Sequence, residues 1–113
     1  MGADLKSAYL EMRRQGEADF PPQSLEYVYR LVLLASRQGN GHRHLTAPEL
    51  GRAFQIQAAL DFGVLTPAVL GRWGIRTHRD LGRVVFQLAR HRCLSLGEGE
   101  SLEDYAHEPI QPA

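Results

Sequence analysis

Arg79, Arg83 and Arg90 stand at i, i+4 and i+11, one face of a helix, and Arg72 and Arg76 come just before them. Guanidinium groups in such a row suit bidentate contacts to carboxylates or phosphates. With a turn at Gly74–Thr77 joining two helices, the arrangement matches a helix-turn-helix or winged-helix reader of nucleic acid, using the arginine face of residues 72–92. The plainer reading is that arginines opposite an apolar stripe are the solvated side every surface helix needs. Gln87 is the one Asn or Gln on this helix able to read adenine. The plainer reading is preferred.

Other constellations carry less chemistry. His42-x-His44 would place two imidazoles on one side of a strand near Glu49, but zinc needs a third or fourth ligand at recognisable spacing, and none follows. Cys93 has His91 and His78 as prospective bases; a lone cysteine among apolar residues at a helix end is more often a small buried hydrophobe. Gly39-Asn40-Gly41 lacks the lysine of a phosphate-binding loop and follows no strand. Nothing in the spacing of Asp61 and Asp80 pairs them as acid and base. No catalytic, metal-ligating or cofactor-binding residue is therefore assigned, and no cofactor is expected.

The elements that must position these residues are punctuated clearly. Leu5, Ala8, Tyr9 and Met12 predict a helix over about 4–15, stopped by Gly16. After the Phe20-Pro21-Pro22 turn, Ser24 is read as the cap of a second helix over about 25–38. Leu33 and Leu34 extend its apolar surface nearly all round, which predicts a central position. Thr46 and Glu49 form a capping box for a helix over 47–62, expected to bury Leu50, Ala53, Phe54 and Leu60. Thr66 before Pro67 reads as the cap of a short fourth helix holding Trp73. Thr77 and Asp80 box the start of a fifth over about 78–92, where Leu81, Val84, Val85 and Leu88 give the cleanest amphipathic pattern in the chain. The expectation is a mainly α, single-domain bundle of four to five helices. A short two-stranded β ribbon, 43–45 with 93–96, would complete it. Residues 1–18 form a helix of the same domain as 19–106, and 107–113, with two prolines, are expected to fray.

At 113 residues the chain has room for one core, and 43% apolar with 23% charged residues is ordinary for a globular domain. One cysteine precludes an internal disulfide and fits a reducing compartment. The longest unbroken apolar run, Leu31–Ala35, is far too short to cross a bilayer, and MGADLKSAYL has neither a basic start nor an apolar stretch, so a cytoplasmic location is expected. Net charge is zero but unevenly placed. Residues 30–92 carry ten arginines against three carboxylates, whereas 93–113 carry five carboxylates and no base. That polarity suits either a polyanionic partner or a tail that folds back over the arginines.

Taken in order, LEYVYRLVLLA, RHLTAPELGRAF, ALDFGVLTPAVLGRWGI, RDLGRVVFQL and SLEDY resemble a bacterial domain family of unknown function, the Minf-type domain, over about residues 19–106. Its most specific pieces here are Arg43-His44-Leu45-Thr46 with Glu49-Leu50, Phe62-Gly63, Trp73-Gly74-Ile75, and Asp80-Leu81-Gly82 leading to Val85-Phe86. The resemblance implies a compact bacterial cytoplasmic domain and brings no site residues with it. The family pattern often has acidic residues where this chain has Arg79 and Arg83. The functional expectation is a non-enzymatic protein-interaction or regulatory module. Its surface would comprise Arg72, Trp73, Arg76, Arg79, Arg83 and Arg90, engaging a protein partner or the chain itself, with no membrane or small-molecule ligand. Nucleic-acid binding through the same arginines is the alternative.

Overall fold

Three helices end in the same way. Gly16, Gly74 and Arg92 adopt φ of 75°, 78° and 64°. At each, the next amide reaches back to the carbonyl five residues earlier: Glu17 to Met12 at 2.7 Å, Ile75 to Leu70 at 3.0 Å, Cys93 to Leu88 at 2.9 Å. This is the Schellman closure, which satisfies orphan carbonyls and turns the chain sharply. Two of the three stops use glycine, as the left-handed conformation favours; the third uses an arginine. The computed structural model describes residues 5–17, 19–37, 46–94, 101–105 and 108–110. Within them lie α1 (Leu5–Arg14), α2 (Pro22–Arg37), α3 (Ala47–Phe62), α4 (Thr66–Trp73) and α5 (His78–Arg90), with 3-10 turns at Gly63–Leu65 and Leu102–Asp104. The fold is mainly helical, and no named strand occurs among the described residues.

The two capping boxes form as reciprocal pairs. The Thr46 hydroxyl accepts from the Glu49 amide at 3.3 Å, and the Glu49 carboxylate accepts from the Thr46 amide at 2.9 Å. Thr77 and Asp80 repeat the exchange at 3.1 Å in both directions. Two other starts differ from expectation. α2 begins at Pro22, because a proline at the first helical position loses no helical hydrogen bond. Ser24 is thus inside the first turn and fully buried, its hydroxyl donating to the Pro21 carbonyl at 2.7 Å. Thr66 does not cap α4. Its own backbone is helical, and its hydroxyl donates to the carbonyls of Gly63 at 2.6 Å and Ala58 at 3.2 Å. The 3-10 turn therefore joins α3 and α4 into a bent rod, Ala47–Trp73, folded at Gly63 (φ 54°, ψ −129°) so that α4 turns back toward α3.

α5 is the central element. Leu81, Val84, Val85 and Leu88 are buried, and so are Gly82 and Gln87 beside them. They meet Leu25, Val28 and Leu31 of α2, Leu50 and Phe54 of α3, Ile75, and Met12 of α1 in one core. Close approach depends on two glycines. A Cβ on Gly51 would lie 2.5 Å from His78 Nδ1, and one on Gly82 would lie 2.6 Å from the Tyr105 ring. Two apolar expectations fail on the other side of the molecule. Leu34 is 62% and Leu60 75% exposed, since α2 and α3 each have one neighboured face and turn the other outward.

The expected ribbon is not seen. Residues 43–45 and 95–96 lie outside the described residues, and Cys93 and Leu94 form a bend. The segment expected to fray includes residues 108–110, which instead pair with the chain before α5. Thr77 and Pro109 form an isolated antiparallel bridge, the His78 amide donates to the Glu108 carbonyl at 3.1 Å, and the Ile110 amide donates to the Arg76 carbonyl at 2.9 Å. The prolines leave these contacts intact because Pro109 needs no amide for either bond.

Candidate interaction surface

The sequence singled out six residues, and the structure engages most of them internally. Arg79 pairs with Glu103 of the acidic tail at 3.2 Å. Its Nη1 is buried with no hydrogen-bond partner among the described residues, and the side chain as a whole is only partly exposed. Arg83 reaches Asp80 at 3.4 Å and Asp19 at 3.5 Å, and its guanidinium sits 5.2 Å from the Phe20 ring centre. Arg90 pairs with Glu17, the residue that the α1 closure turns toward the end of α5. The Glu17 carbonyl accepts from Gln87, and its carboxylate lies 3.2 Å from His91 Nε2. Arg76 donates to the Gly71 carbonyl at 3.5 Å and its amide to Asp80 at 3.0 Å. Arg72 is exposed at the end of α4. The arginine face is thus a set of latches holding the N-terminal segment and the tail against α5. Gln87, the prospective adenine reader, is buried.

Trp73 turns inward. Its ring lies 5.3 Å from Tyr27 and 5.5 Å from Phe62, and Tyr27 packs edge-on against Phe54 at 5.9 Å. The cluster welds α2 to the α3–α4 rod. Tyr27 donates its hydroxyl hydrogen to Asp61 at 2.7 Å, and Gln57 donates to the same carboxylate at 3.0 Å. Burial of the ring, then the Asp61 hydrogen bond and charge, push the Tyr27 pKa well above its ordinary value.

The prospective chemistry is not assembled. Cys93 is buried, its Sγ 3.9 Å from the His91 carbonyl, while the His91 ring faces Glu17. His78 stands against Gly51 on α3. His42 and His44 lie outside the described residues, and no cluster of three or more metal-ligating side chains occurs within them. An open cleft of about 250 Å³ lies where the α3 N-terminus meets the tail. Arg52 and His78 share its wall with Asp104 and Glu108, so an ion of either sign meets a like charge there.

What sequence reasoning missed is apolar. Ile56 and Leu60 stand at i and i+4 on α3 with 50% and 75% exposure, and Val64 and Leu65 in the turn after it are 96% and 62% exposed. Gly63, Pro67 and Ala68 continue the exposed strip toward α4. The opposite side of the same rod holds Leu50, Phe54, Ala58 and Leu70 in the core. Length and composition alone would let Ala47–Trp73 cross a membrane, but the bend at Gly63 divides it into two shorter helices. The missed signal was the apolar residues at positions 56, 60, 64 and 65, more than one buried face can use. Compared with protein-family models, with curated proteins and with solved structures, this chain has no match.

Proposed function

We propose that this chain is a non-enzymatic protein-interaction module that docks through the outward side of the α3–α4 rod. The observation that carries this reading is the group Ile56, Leu60, Val64 and Leu65, each at least half exposed, at the C-terminal end of α3 and in the turn that follows it. Scattered exposed leucines are ordinary, but four large aliphatic side chains exposed within ten residues mark a candidate binding surface. The rod is held from behind by the core and by the Tyr27–Trp73–Phe62 cluster, so docking requires little ordering of the backbone. The arginine surface serves this role less well, because Arg79, Arg83 and Arg90 already pair with carboxylates of the same chain.

Site-specific photo-crosslinking tests the reading. A photoreactive amino acid at Val64, introduced in living cells, is expected to give a discrete covalent adduct with protein. The same group at Gln23, exposed on α2, is expected to give none. No adduct from position 64 overturns the proposal.

A further inference from the structure

We infer that the face of α5 beneath the acidic tail is a peptide-binding groove, occupied here by the chain's own tail, and that it takes an acidic, tyrosine-bearing segment of another protein in the tail's place. This goes beyond the docking role proposed above, because it uses a different face of the molecule. The tail is held as a docked peptide is held, by one buried anchor, one charge and main-chain bonds. Tyr105 is 5% exposed, whereas Ser101, Glu103, Asp104 and Glu108 around it are exposed. Its ring fills a notch left by Gly82, where a Cβ would lie 2.6 Å from the ring and 3.0 Å from Leu102. Phe86, one helical turn further on, meets the ring edge-on at 6.3 Å. Glu103 pairs with Arg79 at 3.2 Å. Beyond the anchor, the Ile110 amide donates to the Arg76 carbonyl and the His78 amide to the Glu108 carbonyl. Main-chain bonds of this kind are indifferent to sequence, so selectivity rests with the notch and the guanidinium.

Two features mark the tail as a replaceable occupant. Tyr105 is its one buried side chain among the described residues, and the Glu103 partner of its ion pair is 77% exposed, so little holds it down. Its fit is also imperfect. Arg79 Nη1 is buried without a hydrogen-bond partner among the described residues, and an unsatisfied donor of that kind is costly. A partner's carboxylate set across both Nη atoms would satisfy them together, the bidentate geometry that arginine favours. The tail competes through its tether, which gives it an effective concentration on the order of millimolar. Loosening the tail therefore reveals the groove.

The test is fluorescence anisotropy of a labelled synthetic peptide, SLEDYAHEPI, titrated with the full chain; the peptide copies residues 101–110. Tyr105→Ser in the chain, which removes the tail's anchor, is expected to tighten peptide binding about tenfold or more over the unsubstituted chain. Adding Arg79→Glu to that chain is expected to undo the gain, and a peptide with alanine for its tyrosine is expected to bind neither. Glu103→Arg breaks the ion pair at an exposed position without emptying the core, so it is expected to tighten binding by a smaller factor even where Tyr105→Ser folds poorly. No binding by either loosened chain overturns the inference. Equal binding by loosened and unsubstituted chains also overturns it, since the peptide would then sit elsewhere. Hydrogen exchange of the unsubstituted chain supplies a second criterion. The His78, Tyr105 and Ile110 amides, each bonded to or within the tail, are expected to exchange together while those of Leu81 and Leu88 stay protected. Exchange of all five only through global unfolding would make the tail part of the core and overturn the inference.

Discussion

α5 and the α3–α4 rod are the two long amphipathic pieces of this molecule, and they dispose of their side chains in opposite ways. α5 is rich in arginine, and although Arg83 and Arg90 reach solvent, Glu17, Asp19, Asp80 and Glu103 pair with its guanidinium groups. The rod is rich in leucine, isoleucine and valine yet leaves half of them in water. The lesson is about stoichiometry. A core of this size needs a limited number of large apolar residues, and α1, α2, α5 and one side of the rod already supply them; the surplus on the rod has nowhere inside to go. The charges, in turn, cancel because the turn after α1 and the tail bring Glu17, Asp19 and Glu103 back beside α5 from distant parts of the chain.

Four substitutions would break or sharpen that contrast. Leu88→Ala in α5 empties a fully buried site and is expected to cost about 2–5 kcal/mol in a denaturant melt. Next comes Gly82→Val, which pushes a side chain into the Tyr105 ring. About 1–3 kcal/mol of destabilisation is expected, with amide protection lost at residues 102–105 in hydrogen exchange. If the tail were only draped over α5, protection there would already be low in the unsubstituted chain. Tyr27→Phe, which loosens the rod from α2 without changing its shape, is expected to cost about 1 kcal/mol near neutral pH. It also carries a pH signature. A phenol whose folded pKa is raised above its unfolded value of about 10 contributes stability that is complete below that value and lost as pH climbs through it. The unsubstituted chain should therefore lose stability more steeply above about pH 10 than Tyr27→Phe does, as chemical melts across that range would record. The smallest effect belongs to the rod's outer face. Leu60→Ser should change stability of the monomer by no more than about 0.5 kcal/mol. A loss comparable to that of Leu88→Ala would place Leu60 in the core and dissolve the comparison.

Where local chemistry is decisive, the helices were legible. Thr46 with Glu49 and Thr77 with Asp80 announce their boxes by type and spacing, and the starts at Ala47 and His78 follow. Gly16 and Gly74 announce stops, because few other residues take a positive φ cheaply. The end of α5 was less visible: the same closure is made by Arg92, and no composition rule singles out an arginine for it. Thr66 misled for a related reason. A threonine before proline is the usual helix cap, but a 3-10 turn at Gly63–Leu65 already delivers helical backbone to it, and its hydroxyl turns back to Gly63 and Ala58. Of the six surface residues chosen from sequence, each was rightly placed on a helix or turn, but their availability depends on acids far along the chain.

Periodicity and caps are properties of neighbouring residues, so the chain alone determined its helical class, the two boxed helix starts and the apolar stripe of α5. Which arginines keep a free charge, which way Trp73 turns and which leucines stay wet are set by residues tens of positions apart. Those outcomes depend on how many apolar faces one small core can accommodate and on which segments come to lie beside α5. Only the assembled tertiary structure resolves that competition, because burial is a property of the whole surface and is written in no single window of sequence.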